Sequence, residues 1–176
     1  MRLFVAIALP DSVAGSLLHL EIGVPGARWS TREQLHLTLR FIGEVDGRDA
    51  LAIDDALSAI AAPGFALQLK GVGEFGGKNP RALWAGVAPN QALLHLQRKI
   101  ETALQRIGQE AEQRKFTPHV TLARLKAVPR GRVVDFLVDH ALYAGTTFEV
   151  CEFVLYSSQL TPSGSLYVPE RAYPLR

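Results

Sequence analysis

Apolar residues along the chain recur with two different periods, which predict strands interleaved with helices. Residues 65–72 alternate apolar and polar side chains, the period of a half-buried strand. Residues 48–62 and 91–107 repeat apolar positions every three or four residues, the period of an amphipathic helix. By the same criteria we predict further strands at residues 2–9, 35–42, 81–87, 119–125 and 146–157, and further helices at residues 10–20 and 133–142.

Glycine and proline residues predict the structure of two further segments. Residues 71–80 are rich in glycine and predict a hairpin connection, and residues 166–175 hold two prolines, as an edge strand tolerates. No linker, low-complexity stretch or block of like charges divides the chain. Strands interleaved with helices in both halves predict one α+β domain over residues 1–176, made of two similar lobes.

The single cysteine and the first apolar segment bear on where the protein works. Cys151 cannot form an intrachain disulfide, and its apolar neighbours predict a thiol buried in a strand. Residues 3–9 are apolar but too short to span a membrane, and no cleavage pattern follows them. We expect a cytoplasmic monomer with no membrane partner. The net charge of +2 says little about other partners.

Two copies of the pattern His-x-Thr-Leu are the strongest functional signal in the sequence. They are HLTL at residues 36–39 and HVTL at residues 119–122. Five His, eight Thr and 25 Leu in a chain of this length give roughly 0.03 matches by chance. Two matches therefore indicate a shared role rather than coincidence.

The spacing within each copy places an imidazole beside a hydroxyl. Side chains alternate across a strand, so His36 and Thr38 share one face, as do His119 and Thr121. If the lobes pack face to face, all four line one cleft. Phosphoryl transfer from a diester needs one group to take a proton and another to give one, and imidazole does either near neutral pH. Threonine hydroxyls can stabilise the charge on the non-bridging oxygens.

Three cations follow the tetrapeptides closely enough to neutralise a bound phosphate, namely Arg40, Arg124 and Lys126. Strict alternation from His119 places Arg124 on the opposite face of its strand. It therefore reaches the cleft only if the strand ends or bulges near Ala123.

These residues also resemble a known family. Residues 34–44 (QLHLTLRFIGE) and 116–124 (FTPHVTLAR) are similar to the two signature motifs of the 2H phosphoesterases. Among these, the chain most resembles the bacterial and archaeal RNA 2′,3′-cyclic phosphodiesterases, also called 2′-5′ RNA ligases. Residues 2–7, residues 155–158, Gly164 and Tyr167 carry the resemblance further.

The resemblance implies a two-lobed α+β fold in which each lobe is an antiparallel sheet backed by helices and a central cleft holds the active site. It also implies no cofactor or metal, and hydrolysis of a terminal 2′,3′-cyclic phosphate on RNA to a 2′-phosphate. It implies that His36 protonates the leaving 3′ oxygen and that His119 activates water. Thr38 and Thr121 fall on the family's hydroxyl positions, and Arg124 falls on a phosphate-binding arginine.

Other interpretations stay open from the sequence. The histidines could be a hydrogen-bonded core pair, or two metal ligands whose third partner is distant in the chain. The protein could bind RNA termini without turnover, or join a cyclic phosphate to a 5′-hydroxyl in the reverse direction. The substrate could be a tRNA half, a short oligonucleotide or a small cyclic-phosphate nucleotide. Phe116 and Trp29 could stack a terminal base or belong to the core.

Overall fold

A computed structural model describes residues 1–176 and contains ten strands, four α-helices and one short 3-10 helix at Arg32–Gln34. The strands are β1 (Arg2–Ala8), β2 (Arg28–Trp29), β3 (His36–Glu44), β4 (Phe65–Leu67), β5 (Leu69–Phe75), β6 (Ala82–Val87), β7 (His119–Arg124), β8 (Phe148–Val150), β9 (Glu152–Thr161) and β10 (Gly164–Pro174). The helices are α1 (Asp11–Leu18), α2 (Gly47–Ser58), α3 (Gln91–Arg106) and α4 (Arg130–Asp139). The predicted α+β class is confirmed.

The strands form one large antiparallel sheet with the order β10-β9-β1-β3-β7-β6-β5. Its two halves meet between β3 and β7, which pair at a single position, Leu37 opposite Val120. The short β2 pairs with β7 farther along the same edge, and β4 and β8 form a separate two-stranded sheet. The two lobes therefore join side by side at their inner strands, and the two His-x-Thr-Leu segments are neighbours in one sheet rather than facing walls.

The helices cover one face of this sheet and leave the other face open. A single core cluster combines residues from all four helices with alternate residues of the strands, such as Val5, Leu37 and Val120. Helix α3 contributes four side chains with no exposed surface, Leu93, Leu96, Ile100 and Leu104. No helix is both long enough and apolar enough to cross a membrane.

Side chains at their starts fix where the two longest helices begin. The carboxylate of Asp46 accepts a hydrogen bond from the Asp49 amide at 2.8 Å at the start of α2. The side-chain oxygen of Asn90 accepts one from the Leu93 amide at 3.0 Å at the start of α3. Each bond satisfies one of the amides that have no partner within the first turn of a helix.

Two predicted strands are each divided in the structure. The chain passes from the small sheet to the large one at Gln68, between β4 and β5, and at Cys151, between β8 and β9. Local alternation cannot reveal such a change, because both halves of each segment are apolar enough for a strand. The prediction of a buried Cys151 thiol was wrong, since the residue is exposed at this junction.

The other elements lie close to their predicted positions. The glycine-rich hairpin is shorter than predicted because β5 continues to Phe75. The C-terminal strand β10 is an edge strand, as its prolines indicated. Helix α4 begins at Arg130, three residues before the predicted start.

The core of α3 gives a prediction about stability. Leu96→Ala removes a fully buried side chain, so we expect it to lower the free energy of unfolding by about 2–5 kcal/mol. Leu51→Ala on α2 is the matched control, because Leu51 is 69% exposed and its loss should change stability by less than about 0.5 kcal/mol. Urea unfolding followed by circular dichroism measures both; equal losses would contradict the assignment of the core.

Candidate active site

The register between β3 and β7 brings both imidazoles and both hydroxyls onto one face of the sheet. Leu37 and Val120 are opposite each other, and neither has any exposed surface. By alternation, His36 and Thr38 lie on the other face, with His36 across from Thr121 and Thr38 across from His119. The two histidines are thus diagonal neighbours, a relation that places side chains about 7–8 Å apart in a regular sheet.

Each imidazole is held by a backbone carbonyl two residues earlier in the chain. His36 Nδ1 lies 2.7 Å from the Gln34 carbonyl oxygen, and His119 Nδ1 lies 2.6 Å from the Thr117 carbonyl oxygen. Because a carbonyl oxygen only accepts, the hydrogen of each neutral ring resides on Nδ1. Nε2 is then the basic nitrogen in both residues.

The two Nε2 atoms differ in their surroundings. His36 Nε2 lies 2.9 Å from Thr38 Oγ1, so the hydroxyl donates to the neutral ring and accepts from the protonated one. His119 Nε2 forms no hydrogen bond within the chain. The pair therefore consists of one ring already engaged by its threonine and one whose basic nitrogen is free.

Both rings are biased toward the neutral form. Burial lowers the pKa of His36 to about 4; the hydrogen bond to Gln34 opposes this shift, and a positive charge on His119 adds to it. Burial also lowers the pKa of His119 below its usual value, against a smaller opposing effect of the Thr117 carbonyl. An anion bound between the rings would oppose both shifts by favouring the imidazolium.

A β-bulge places Arg124 on the same face as the histidines. Leu83 and Trp84 are consecutive on β6, yet they pair with Ala123 and Thr121, so Leu122 is the extra residue on β7. This bulge reverses the alternation, and Arg124, opposite Ala82, is exposed on the face of Thr121. The condition set by the sequence for Arg124 to reach the cleft is met.

The same irregularity occurs in β3. Val5 and Ala6 pair with Arg40 and Thr38, so Leu39 is the extra residue there. Arg40 thereby turns toward the helices, where it is only 8% exposed and its Nε lies 2.5 Å from a carboxylate oxygen of Glu101. Arg40 is therefore not available to a phosphate in the cleft, whereas Lys126 is exposed just beyond the end of β7.

Aromatic side chains surround both histidines. The rings of Phe4 and Tyr167 lie 4.9 and 5.1 Å from the ring of His36, centroid to centroid. The rings of Phe75 and Trp84 lie 4.9 and 6.1 Å from that of His119. These residues come from strands paired beside the motifs, so no local pattern around the histidines indicates them.

The two aromatic residues considered from the sequence lie elsewhere. Trp29 is opposite Ala123 and packs against Phe136 of α4, with ring centroids 5.9 Å apart. Phe116 is partly buried against the core cluster. Trp84 instead occupies the open face, lying so close to Gly73 that a Cβ there would be 2.2 Å from the indole.

Comparisons with known proteins agree with this geometry. The family model described as the 2′-5′ RNA ligase superfamily matches residues 9–161. The chain is 34% identical to an RNA 2′,3′-cyclic phosphodiesterase of Thermotoga maritima, covering 95% of this chain and 91% of that protein. It is 32% identical to the enzyme of the same name from Archaeoglobus fulgidus, covering 98% and 99%.

Solved structures lead to the same family. The chain is similar to TT0787 of Thermus thermophilus, with a TM-score of 0.82, 29% identity and coverage of 100% of this chain and 98% of that one. It is equally similar to Escherichia coli LigT complexed with 3′-AMP, with a TM-score of 0.82, 28% identity and coverage of 99% and 97%. The family resemblance of the sequence is confirmed: the chain belongs to the 2′-5′ RNA ligase superfamily.

Proposed function

We propose that this protein hydrolyses the terminal 2′,3′-cyclic phosphate of RNA to a 2′-phosphomonoester, without a metal ion. The observation that carries the proposal is the pair of imidazoles on adjacent strands. In each ring, Nδ1 donates to a backbone carbonyl oxygen, which leaves Nε2 as the basic nitrogen. The names of its relatives support the substrate class. The protein acts as a monomer in the cytoplasm, on tRNA fragments or small cyclic-phosphate nucleotides.

The reaction requires two proton transfers on opposite sides of phosphorus. His119 Nε2 takes a proton from water, whose oxygen forms the new bond to phosphorus. The bond from phosphorus to the 3′ oxygen breaks, and His36 Nε2 gives its proton to that oxygen. The product retains phosphate on the 2′ oxygen. Each such transfer is typically worth about 10²–10⁴ in rate.

The neighbouring side chains stabilise the charge that develops on the phosphate. Thr121 lies on the face of the imidazoles and donates a hydrogen bond to one non-bridging oxygen. The Thr38 hydroxyl donates to the other while it accepts from the protonated ring of His36. Arg124 supplies a positive charge from the end of β7. When a 5′-hydroxyl of RNA takes the place of water as the nucleophile, its oxygen bonds to phosphorus and the same bond to the 3′ oxygen breaks, so the same groups serve 2′-5′ ligation.

Variants of the histidines test this function. We expect the wild type to open an oligonucleotide 2′,3′-cyclic phosphate in EDTA, and His36→Ala and His119→Ala each to reduce kcat by about 10²–10⁴ or more. His19→Ala, at an exposed position after α1, is the control and should retain full activity. Chromatography that resolves the 2′- from the 3′-phosphate measures the product. Loss of activity in EDTA, or a 3′-phosphate product, would contradict the proposal.

The pH dependence tests the assignment of protons. The free enzyme must hold a proton on His36 and none on His119, and both pKa values lie below 6.5. Because kcat/KM reports groups of the free enzyme, we expect it to fall about tenfold per pH unit above pH 6.5. A bound phosphate raises the pKa of His36, so the fall in kcat should begin at higher pH.

Nitrogen NMR of the free protein provides the independent measurement for this pH prediction. At pH 7 both rings should be neutral with hydrogen on Nδ1, and His36 should stay neutral well below pH 6. A value of kcat/KM that is flat from pH 6.5 to 8, or a hydrogen on Nε2 of either free ring, would contradict the assignment.

A further inference from the structure

A second arginine lies beside Arg124 on the open face of the sheet. The two-residue strand β2 pairs with the end of β7, with Arg28 directly opposite Arg124 and Trp29 opposite Ala123. Residues directly opposite in an antiparallel pair point to the same face. Trp29 and Ala123 point to the helices, so Arg28 and Arg124 both point to the side of His119 and Thr121.

Two like charges at directly opposite positions destabilise a sheet unless a group of opposite charge binds between them. Arg28 and Arg124 are both exposed, and neither forms an ion pair with a carboxylate. Arg114 and Arg171, by contrast, are ion-paired to Glu112 and Asp54. The sheet thus holds two arginines at directly opposite positions, neither of which is paired with a carboxylate.

The side chain of Arg28 has a defined position at the rim of the site. Its Nη2 donates a hydrogen bond of 3.2 Å to the Ser163 carbonyl, in the turn between β9 and β10. A Cβ added to Gly164 would lie 2.9 Å from that nitrogen, and this glycine has φ +128°. The Gln34 side chain donates to the Ser165 carbonyl at 3.0 Å, and the Gln34 carbonyl in turn holds the ring of His36. Arg28 therefore lies beside the segment that carries the first histidine.

We propose that Arg28, together with Arg124, binds the phosphodiester that links the terminal nucleotide of the RNA to the preceding one. The inference rests on the proposed function and adds a subsite for the body of the RNA chain. The cyclic phosphate has Thr38 and Thr121 as its nearest partners, and the charge of Arg124 acts on both phosphates. Arg28 lies farther from the histidines, because it is opposite Arg124. Arg124 and Thr121 are opposite Ala82 and Trp84, which are two positions apart on β6, or roughly 7 Å at 3.3 Å per residue.

The distance suits a second phosphate on the scale of one nucleotide step. An arginine binds a phosphate through two donors in a fixed fork, and a neighbouring guanidinium adds its charge to the same anion. Such a subsite favours an oligonucleotide over a nucleoside cyclic phosphate. It would contribute to binding of the substrate and leave the chemical step unchanged.

The test compares Arg28→Ala and Arg28→Gln with the wild type on three substrates. These are a nucleoside 2′,3′-cyclic phosphate, a dinucleotide ending in the cyclic phosphate, and the same dinucleotide with an uncharged methylphosphonate linkage. For both variants we expect KM on the charged dinucleotide to rise about tenfold with kcat unchanged. On the other two substrates KM should equal that of the wild type.

Arg132→Ala is the charge-matched control, because Arg132 is exposed on α4, on the opposite side of the sheet. It should leave KM unchanged on all three substrates at constant salt. An equal loss on all three substrates for the Arg28 variants would overturn the proposal, since Arg28 would then act on the cyclic phosphate or only support Gln34 and His36. An unchanged KM on the charged dinucleotide would also overturn it. Failure of the proposed function is distinct, because the wild type would then open none of the substrates.

Discussion

The contact on which the rest of the structure depends is the single antiparallel pair between Leu37 and Val120. Both side chains are fully buried under the helices, and this burial fixes which face of each strand the neighbouring histidine and threonine occupy. A shift of either strand by one residue would bury an imidazole and expose a leucine, so the core opposes any other register. The hydrophobic effect on one face thereby determines the chemistry on the other.

The strands β3 and β7 pair as a ladder only at this point. A fully paired central ladder would hold all four polar side chains at regular sheet spacing. Beyond that pair, the short β2 takes the place of β3 beside the end of β7. The two half-sheets are thus joined at one residue pair, and both imidazoles lie on the open face beside it.

The repeated bulge gives the two halves different functions. In both strands the residue after the motif threonine, Leu39 or Leu122, is the extra one, and the alternation reverses there. Three positions after the threonine, the first half places Phe41 on the open face and the second half places Arg124. Phe41 lies 5.6 Å from Phe4, ring centroid to ring centroid. Equivalent backbones therefore present an aromatic ring on one side and a cation on the other.

Sequence patterns predicted the parts of the site that local periodicity encodes. The two His-x-Thr-Leu copies placed each imidazole beside a hydroxyl, and the periods of three and four placed the helices. The bulges at Leu39 and Leu122 could not be predicted from the sequence, because leucine fits either face of a buried strand. Tyr167, Trp84 and Arg28 come to the site through pairing with distant segments, which no local pattern reports.

Nearly identical motifs place the two imidazoles in different surroundings, although burial lowers the pKa of both rings. Both rings share the same tautomer because each donates from Nδ1 to a carbonyl two residues before it. His36, enclosed by Phe4 and Tyr167 and bonded to Thr38, has its pKa lowered to about 4. His119 keeps a free Nε2 at the more open side of the cleft. Where two carboxylates divide the roles of acid and base, burial raises the pKa of the acid. Burial of an imidazole has the opposite effect, so the free His36 ring does not hold the proton that its proposed role requires. A phosphate bound between the rings favours the protonated form of each. Thr38 can hold either form of His36, since its hydroxyl donates to the neutral ring and accepts from the charged one. The low pKa of the free ring and a role as proton donor are therefore compatible, because the substrate itself supplies the charge that raises it.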